Sequence, residues 1–348
     1  MSKAIYVKTS DTCNLHCDHC FTSGRNGSKV RWDVDAASRW IDDFMDHYGP
    51  DEHYRLILHG GEPFLAPMED LERFVDTYSG RPNIGISITT NLVIKLDERK
   101  LNFLKRLGSV GTSWDVDTRF ETATQKRLWE YNLALLKRSG LECCLFVSVN
   151  KALVDMDIDA FLDEMHRLGP ERIRLERLTL DGNAERNPEI FPDNEVQDQW
   201  FVEVYRRYQE RKTEWSFSIV TLDLIRKKLQ TQTVKTDTNC RNCEQNLVTM
   251  NADGSLAGCP NTAGSNNFAH LNDGVDQFLT SDGRLEEIAD ELDFHPQCLQ
   301  CDVFHLCGGD CHQLPWQGDR CGGLKHLLRY VRDEQYDHTR HIPILNLS

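Results

Sequence analysis

Cys13, Cys17 and Cys20 lie in one eight-residue loop, and eight further cysteines crowd between residues 240 and 321 of a 348-residue chain. No other feature constrains the fold as much. The total of thirteen is odd, and the opening MSKAIYVKTS carries no charged-then-apolar signal segment. A secreted disulfide framework is therefore not expected; in a reducing cytoplasm clustered thiols hold metal instead. Forty basic against fifty-five acidic residues leave a formal charge of −15, which disfavours coating of nucleic acid or anionic lipid. No run of eighteen apolar residues occurs, so no membrane span is expected.

The first half of the chain alternates two periods. Ala4 to Thr9, Arg55 to Leu58, Ile84 to Thr89, Val110 to Trp114, Glu142 to Val149 and Arg172 to Leu178 read as strands. Helical patterns over Val34 to His47, Leu71 to Tyr78, Glu98 to Leu107, Thr122 to Arg138 and Ile158 to Leu168 separate them. Strand–helix alternation implies an α/β fold with parallel pairing through right-handed crossovers. Six units suit either an open doubly wound sheet or a partial barrel, and periodicity does not choose between them.

Residues 1–182 hold this alternation. Residues 183–235 read as a helical bridge, with a helix from Asn194 to Arg211 facing inward through Val196, Trp200, Val204 and Tyr208; Arg226-Lys227-Lys228 reads as a solvated helix face. Residues 236–348 hold eight of the cysteines amid Gly, Asn and Asp, too little apolar side chain to fold alone, so bound metal is the expected organiser.

Cys13-Asn-Leu-His-Cys17-Asp-His-Cys20 follows the first strand. Three thiolates from one tight loop suit a zinc site completed by His16 or His19, or an iron–sulfur cube with one iron left open. The three-cysteine loop resembles the signature of the radical S-adenosylmethionine (SAM) enzymes. His59-Gly60-Gly61-Glu62-Pro63, at the end of the second strand, is similar to that family's Gly-Gly-Glu motif. Glycines allow close backbone approach and a carboxylate pairs with a cation. The resemblance implies that Gly60, Gly61 and Glu62 hold the SAM ammonium. It implies further SAM contacts from Asn91, in Thr89-Thr90-Asn91, and from Ser113 and Asp115, in Ser113-Trp114-Asp115. His19 takes the place of an aromatic residue beside adenine, and Arg119, Arg127 and Arg177 are candidates for the SAM carboxylate. By resemblance the fold becomes a partial (β/α)6 barrel of the TIM type.

The later cysteines are similar in spacing to the SPASM domain, the C-terminal extension that holds auxiliary [4Fe–4S] clusters in radical SAM enzymes: Cys243, Gly254 and Cys259, then Cys298, Cys301, Cys307 and Cys311, then Cys321. By that resemblance Cys240, Cys243, Cys259 and Cys311 ligate one auxiliary cluster, and Cys298, Cys301, Cys307 and Cys321 the other. Two zinc knuckles are the alternative on spacing alone. Cys143 and Cys144, adjacent on a strand, point to opposite faces and read as packing residues.

The resemblance implies three [4Fe–4S] clusters and SAM as cofactors, and an electron donor such as a flavodoxin or ferredoxin. The implied activity is hydrogen abstraction from an unactivated carbon of a peptide or protein side chain, giving oxidation, cross-linking or epimerisation. A radical isomerase or oxidase of an amino acid or an aminoacyl-nucleobase adduct, as in phage DNA hypermodification, is the alternative; a non-catalytic metal-binding or electron-transfer scaffold is a third class. Pro260 follows Cys259 where sulfatase-maturing members carry an aspartate base, which speaks against that activity; Asp253 and Asp310 are nearby acids. Radical chemistry asks for apolar barrel walls that exclude water. The expected location is cytoplasmic, with no membrane partner.

Overall fold

The computed structural model describes residues 2–22, 24–231 and 241–340, with the side chains of 230–231 and 335–340 outside the description. Cys240 lies outside the described residues. Six parallel strands run β1 (Lys3–Lys8), β2 (Tyr54–His59), β3 (Ile84–Thr89), β4 (Ser109–Trp114), β5 (Cys143–Val149) and β6 (Arg172–Arg177), each paired to the next in chain order. Between them lie α1 (Val34–Tyr48), α2 (Met68–Tyr78), α3 (Glu98–Leu104), α4 (Ala123–Arg138), a short α5 (Lys151–Val154) and α6 (Ile158–Leu168). The helix starts follow local chemistry. Asp33 accepts from the amides of Asp35 and Ala36, and Thr122 forms a capping box with Gln125. Gly169, at φ +66°, ends α6 in the left-handed conformation that glycine adopts freely.

Alternation along each strand divides the sheet into two faces. Ile5, Val7, Leu56, Leu58, Leu145, Val147, Ile173 and Leu175 are almost fully buried and join the apolar faces of the helices in one core. Tyr6, His59, Ser148, Arg174 and Glu176 lie on the opposite face. The Tyr6 phenol on β1 is within electrostatic reach of Arg174 and Glu176 on β6, so the sheet curls around an interior. β1 and β6 do not pair, and the barrel stays open.

Both free edges are used. β6 pairs with a two-residue β7 (Ser218–Ile219), and β1 pairs in parallel with β8 (Leu247–Met250), which continues antiparallel into β9 (Ser255–Ala257) and β10 (Ala269–His270). One ten-stranded sheet, β10-β9-β8-β1-β2-β3-β4-β5-β6-β7, therefore unites the barrel with the cysteine-rich region. In the bridge, α7 (Asn194–Glu210) buries Trp200, Phe201, Val204, Tyr205 and Tyr208, whereas Val196, expected on that face, is 52 % exposed. The following α8 (Val220–Thr231) packs on β6. Lys228 is buried there, so Arg226-Lys227-Lys228 is not one solvated face.

Candidate functional site

The loop after β1 carries its three cysteines at the C-terminal ends of the strands, where parallel α/β folds build sites. It is clamped from three sides. Asp18 donates its amide to the Thr118 carbonyl (2.9 Å), Asn183 donates Nδ2 to the Cys17 carbonyl (2.9 Å) and its amide to that of Cys20 (2.9 Å), and Asn187 reaches the Asp18 carbonyl (3.0 Å). Gly182 has φ +59°, and a Cβ there would stand 2.5 Å from the Cys20 carbonyl oxygen. Only glycine lets that segment close on the loop.

The three sulfurs sense one another and are free of disulfides. Burial pushes the Cys13 thiol up to about 11 and the Cys17 thiol up to about 12. Such sulfurs become thiolates when a metal supplies positive charge. Donors already point at Cys13 Sγ, from the Leu15 amide at 3.4 Å and Asn91 Nδ2 at 3.3 Å. N–H groups aimed at sulfur are the pattern that stabilises an iron–sulfur cluster, and the donor set fits one.

His19 does not turn toward the sulfurs as a fourth ligand. Its Nδ1 meets Thr118 Oγ1 at 3.2 Å, and its Nε2 meets Ser148 Oγ at 3.2 Å and Arg119 Nη2 at 3.3 Å. With arginine donating to Nε2, the ring proton sits on Nδ1. Burial holds the ring neutral, lowering its pKa to about 4. Asp115 lies fully buried behind this network and accepts from Thr118 Oγ1 and Arg119 Nε, each at 2.7 Å. Burial, the largest single influence, opposes its charge, but the Arg119 guanidinium, His19 and the hydrogen bonds from Thr118 and Arg119 together outweigh it and hold the carboxyl below its usual range. Of the three arginines considered for a carboxylate ligand, the fold brings Arg119 to the loop, beside Cys17 and Cys20. Arg127 is exposed and donates to Thr124, and Arg177 is committed to Asp310.

Gly60 and Gly61 run directly against the start of the cysteine loop. The Gly61 amide donates to the Ser10 carbonyl (2.7 Å) and the Glu62 amide to that of Thr12 (3.0 Å). A Cβ would approach the Ser10 oxygen to 2.2 Å from Gly60 and the Thr12 oxygen to 2.1 Å from Gly61. Gly61→Ala is thus expected to break both hydrogen bonds, a cost of about 2 kcal/mol. Amide exchange at Gly61 and Glu62 should then quicken by about thirtyfold, measurable by hydrogen–deuterium exchange.

Glu62 is fully buried, and its side chain bolts two strand ends together. It accepts from the Phe64 amide (3.1 Å), Thr90 Oγ1 (2.8 Å) and the Asn91 amide (2.7 Å). Burial nevertheless pushes its pKa up to about 7. An ionised carboxylate offers about four acceptor positions, so one remains for a ligand. Ser113 lies half-buried on the interior face, in register with Phe146.

In the cysteine-rich region the described sulfurs other than Cys243 fall into two electrostatic sets. Cys259 senses Cys311; Cys298 senses Cys301; Cys321 senses Cys298 and is itself sensed by Cys307. Burial is the main cause of each raised thiol. The Cys243 amide donates to Glu291. Sequence reasoning missed the link between this region and the barrel. Arg177, at the end of β6, forms a two-pronged ion pair with Asp310 (2.8 and 2.9 Å) and donates to the Gly322 carbonyl (2.8 Å). Asp310 follows two glycines at positive φ, is itself at φ +56°, and accepts from the Cys311 amide (2.8 Å). The run Gly308-Gly309-Asp310 was the available signal.

The interior wall differs from the apolar lining expected of radical chemistry. Lys8, His59, Thr89, Ser113, Ser148, Arg174 and Glu176 share it with Tyr6 and Phe146. Lys8 and His59 are register neighbours; burial lowers the lysine to about 8 and, with Lys8 beside it, the histidine to about 4. Of the paired cysteines, Cys143 is buried in the core and Cys144 faces the interior.

No helix among the described residues is long and apolar enough to cross a membrane. Comparison with known proteins finds no match among curated sequences. Solved structures share the fold. Native anSMEcpe with bound AdoMet superposes at TM-score 0.75 and 18 % identity, covering 97 % of both chains. The same protein with AdoMet and the Cp18Cys peptide gives 0.72 and 16 %, again over 97 % of both. Streptococcus suis SuiB bound to precursor peptide SuiA gives 0.60 and 14 %, over 89 % of this chain and 72 % of that one. The model of the Radical SAM superfamily matches residues 7–165, from within β1 to within α6 and across both the cysteine loop and Gly60-Gly61-Glu62. Over residues 7–165, a little under half of its length, this chain is similar to the Radical SAM superfamily.

Proposed function

We propose that the protein is a SPASM-type radical SAM enzyme that abstracts hydrogen from an unactivated carbon of a peptide or protein side chain. The observation that carries this reading is the clamped loop of three mutually sensing sulfurs lying against Gly60-Gly61-Glu62 at the strand ends. A [4Fe–4S] cluster with SAM bound there would supply the one electron needed for reductive cleavage of SAM. Cys13, Cys17 and Cys20 would hold that cluster. Gly60, Gly61, Glu62, Asn91, Ser113 and Asp115 would surround SAM, with Asp115 acting through the Arg119 guanidinium that it fixes in place.

Two auxiliary clusters, on Cys240, Cys243, Cys259 and Cys311 and on Cys298, Cys301, Cys307 and Cys321, are part of the proposal. The two electrostatic sets among the described sulfurs support that division. Auxiliary clusters suit an oxidative outcome, because they can accept the second electron. Structures of anSMEcpe and SuiB solved with peptides support a peptide substrate. The polar interior wall favours a second reading, an isomerase or oxidase of a small amino-acid-like target, including an aminoacyl-nucleobase adduct.

Anaerobic reconstitution is expected to load about twelve irons per chain, and dithionite with SAM to yield 5′-deoxyadenosine. A chain that fills with zinc and leaves SAM intact would instead be a metal-binding scaffold.

A further inference from the structure

The interior wall carries charge that the rest of the chain leaves unpaired. β6 reads Arg-Ile-Arg-Leu-Glu-Arg; with Ile173 and Leu175 buried against the helices, Arg174 and Glu176 project to the concave side. The neighbouring arginines of the strand are engaged, Arg172 near Glu142 (3.9 Å) and Arg177 on Asp310. Among the described residues the side chains of Arg174 and Glu176 have neither an ion-pair partner nor a hydrogen-bond partner.

Their surroundings decide what they can take. Glu176 pairs in register with Ser148, whose hydroxyl meets His19 of the cysteine loop at 3.2 Å. The backbone at Glu176 therefore lies one strand, about 4.8 Å, from Ser148, which supports that loop. Arg174 is in register with Phe146, one layer below. Across the interior, the half-buried Tyr6 phenol feels Arg55, the Cys259 sulfur, Glu176 and Arg174. An anion and a cation thus face the space between the first cysteine loop and Cys259. Their Cα atoms are about 6.6 Å apart along one strand, close enough for one small group to meet both long side chains.

We propose that Arg174 and Glu176 are the substrate's docking pair: Glu176 takes a free α-ammonium and Arg174 the neighbouring carboxylate or carbonyl oxygen. The substrate class is then an aminoacyl unit with an unblocked amino group, which develops the second reading above, the small amino-acid-like target, and not the first. A free amino acid and an aminoacyl group attached through its carbonyl share this chemistry. The placement of that unit beside the cofactor rests on the radical SAM reading; the binding does not.

The test is anaerobic equilibrium dialysis of the reconstituted full chain with SAM. Three pools of probes are used: the free proteinogenic amino acids, their α-amides and their N-acetyl derivatives. One or more acids or amides should be retained, with the N-acetyl counterparts bound at least tenfold more weakly. Glu176→Gln and Arg174→Gln should each weaken retention by about tenfold or more, and Glu176→Asp and Arg174→Lys should recover part of it. Tighter binding of the acid identifies a free amino acid; tighter binding of the amide identifies an aminoacyl group joined through its carbonyl. Retention of none of the acids or amides, equal retention of the N-acetyl forms, or retention unchanged in Glu176→Gln would overturn the proposal. Failure of the radical SAM reading shows elsewhere, as absence of 5′-deoxyadenosine from the wild-type chain reduced without substrate.

Discussion

Replacement of Cys13, Cys17 and Cys20 together by alanine is expected to bring 5′-deoxyadenosine formation below detection, with iron falling from about twelve to about eight per chain. The sulfurs share one loop and sense one another. The loop itself should survive, because its clamps are backbone carbonyls held by Asn183 and Asn187. Iron analysis and anaerobic turnover with dithionite check the prediction. Retained SAM cleavage in the triple variant would remove Cys13, Cys17 and Cys20 from the mechanism.

Asp310→Ala should destabilise the chain by about 3–5 kcal/mol, because it leaves the Arg177 guanidinium buried without its counter-charge. Both side chains are nearly inaccessible, and the carboxylate uses both oxygens on the guanidinium. Alanine also disfavours φ +56°. Asp310→Asn tolerates that backbone better and keeps an acceptor for the Cys311 amide, so it should cost less. Adding Arg177→Met to Asp310→Asn should recover stability relative to Asp310→Ala, since no unpaired charge then stays buried. Urea midpoints of the four chains decide this; a loss below about 1 kcal/mol in Asp310→Ala would show that the pair is solvated.

The six barrel strands and their helices were legible because each carries its own period: Ile84–Thr89 and Ile158–Leu168 fall where alternation and helical spacing place them. The strands β7 to β10 were not legible. They span two to four residues, and β8 gains its partner from a strand more than 240 residues earlier, which no local pattern encodes. The cysteine loop and Gly60-Gly61-Glu62 were readable as motifs, since chemistry fixes their spacing. The use of the Glu62 carboxylate to tie Thr90 and Asn91 was not, although Thr89-Thr90-Asn91 supplied the donors. The polar interior was written in β6, where Arg172, Arg174 and Glu176 alternate with Ile173 and Leu175. An expectation drawn from radical chemistry overrode that pattern.

A chain ended after residue 182 would strip one rim of β1, where Ala4 to Val7 otherwise bond Leu247 to Met250. Bare strand rims recruit other chains, so such a fragment should precipitate rather than persist as a smaller SAM-cleaving unit. Deletions in the cysteine-rich half should then cost the fold itself even where they touch no cysteine. One shared ladder thus ties the stability of the first half to that of the second, whatever either half binds.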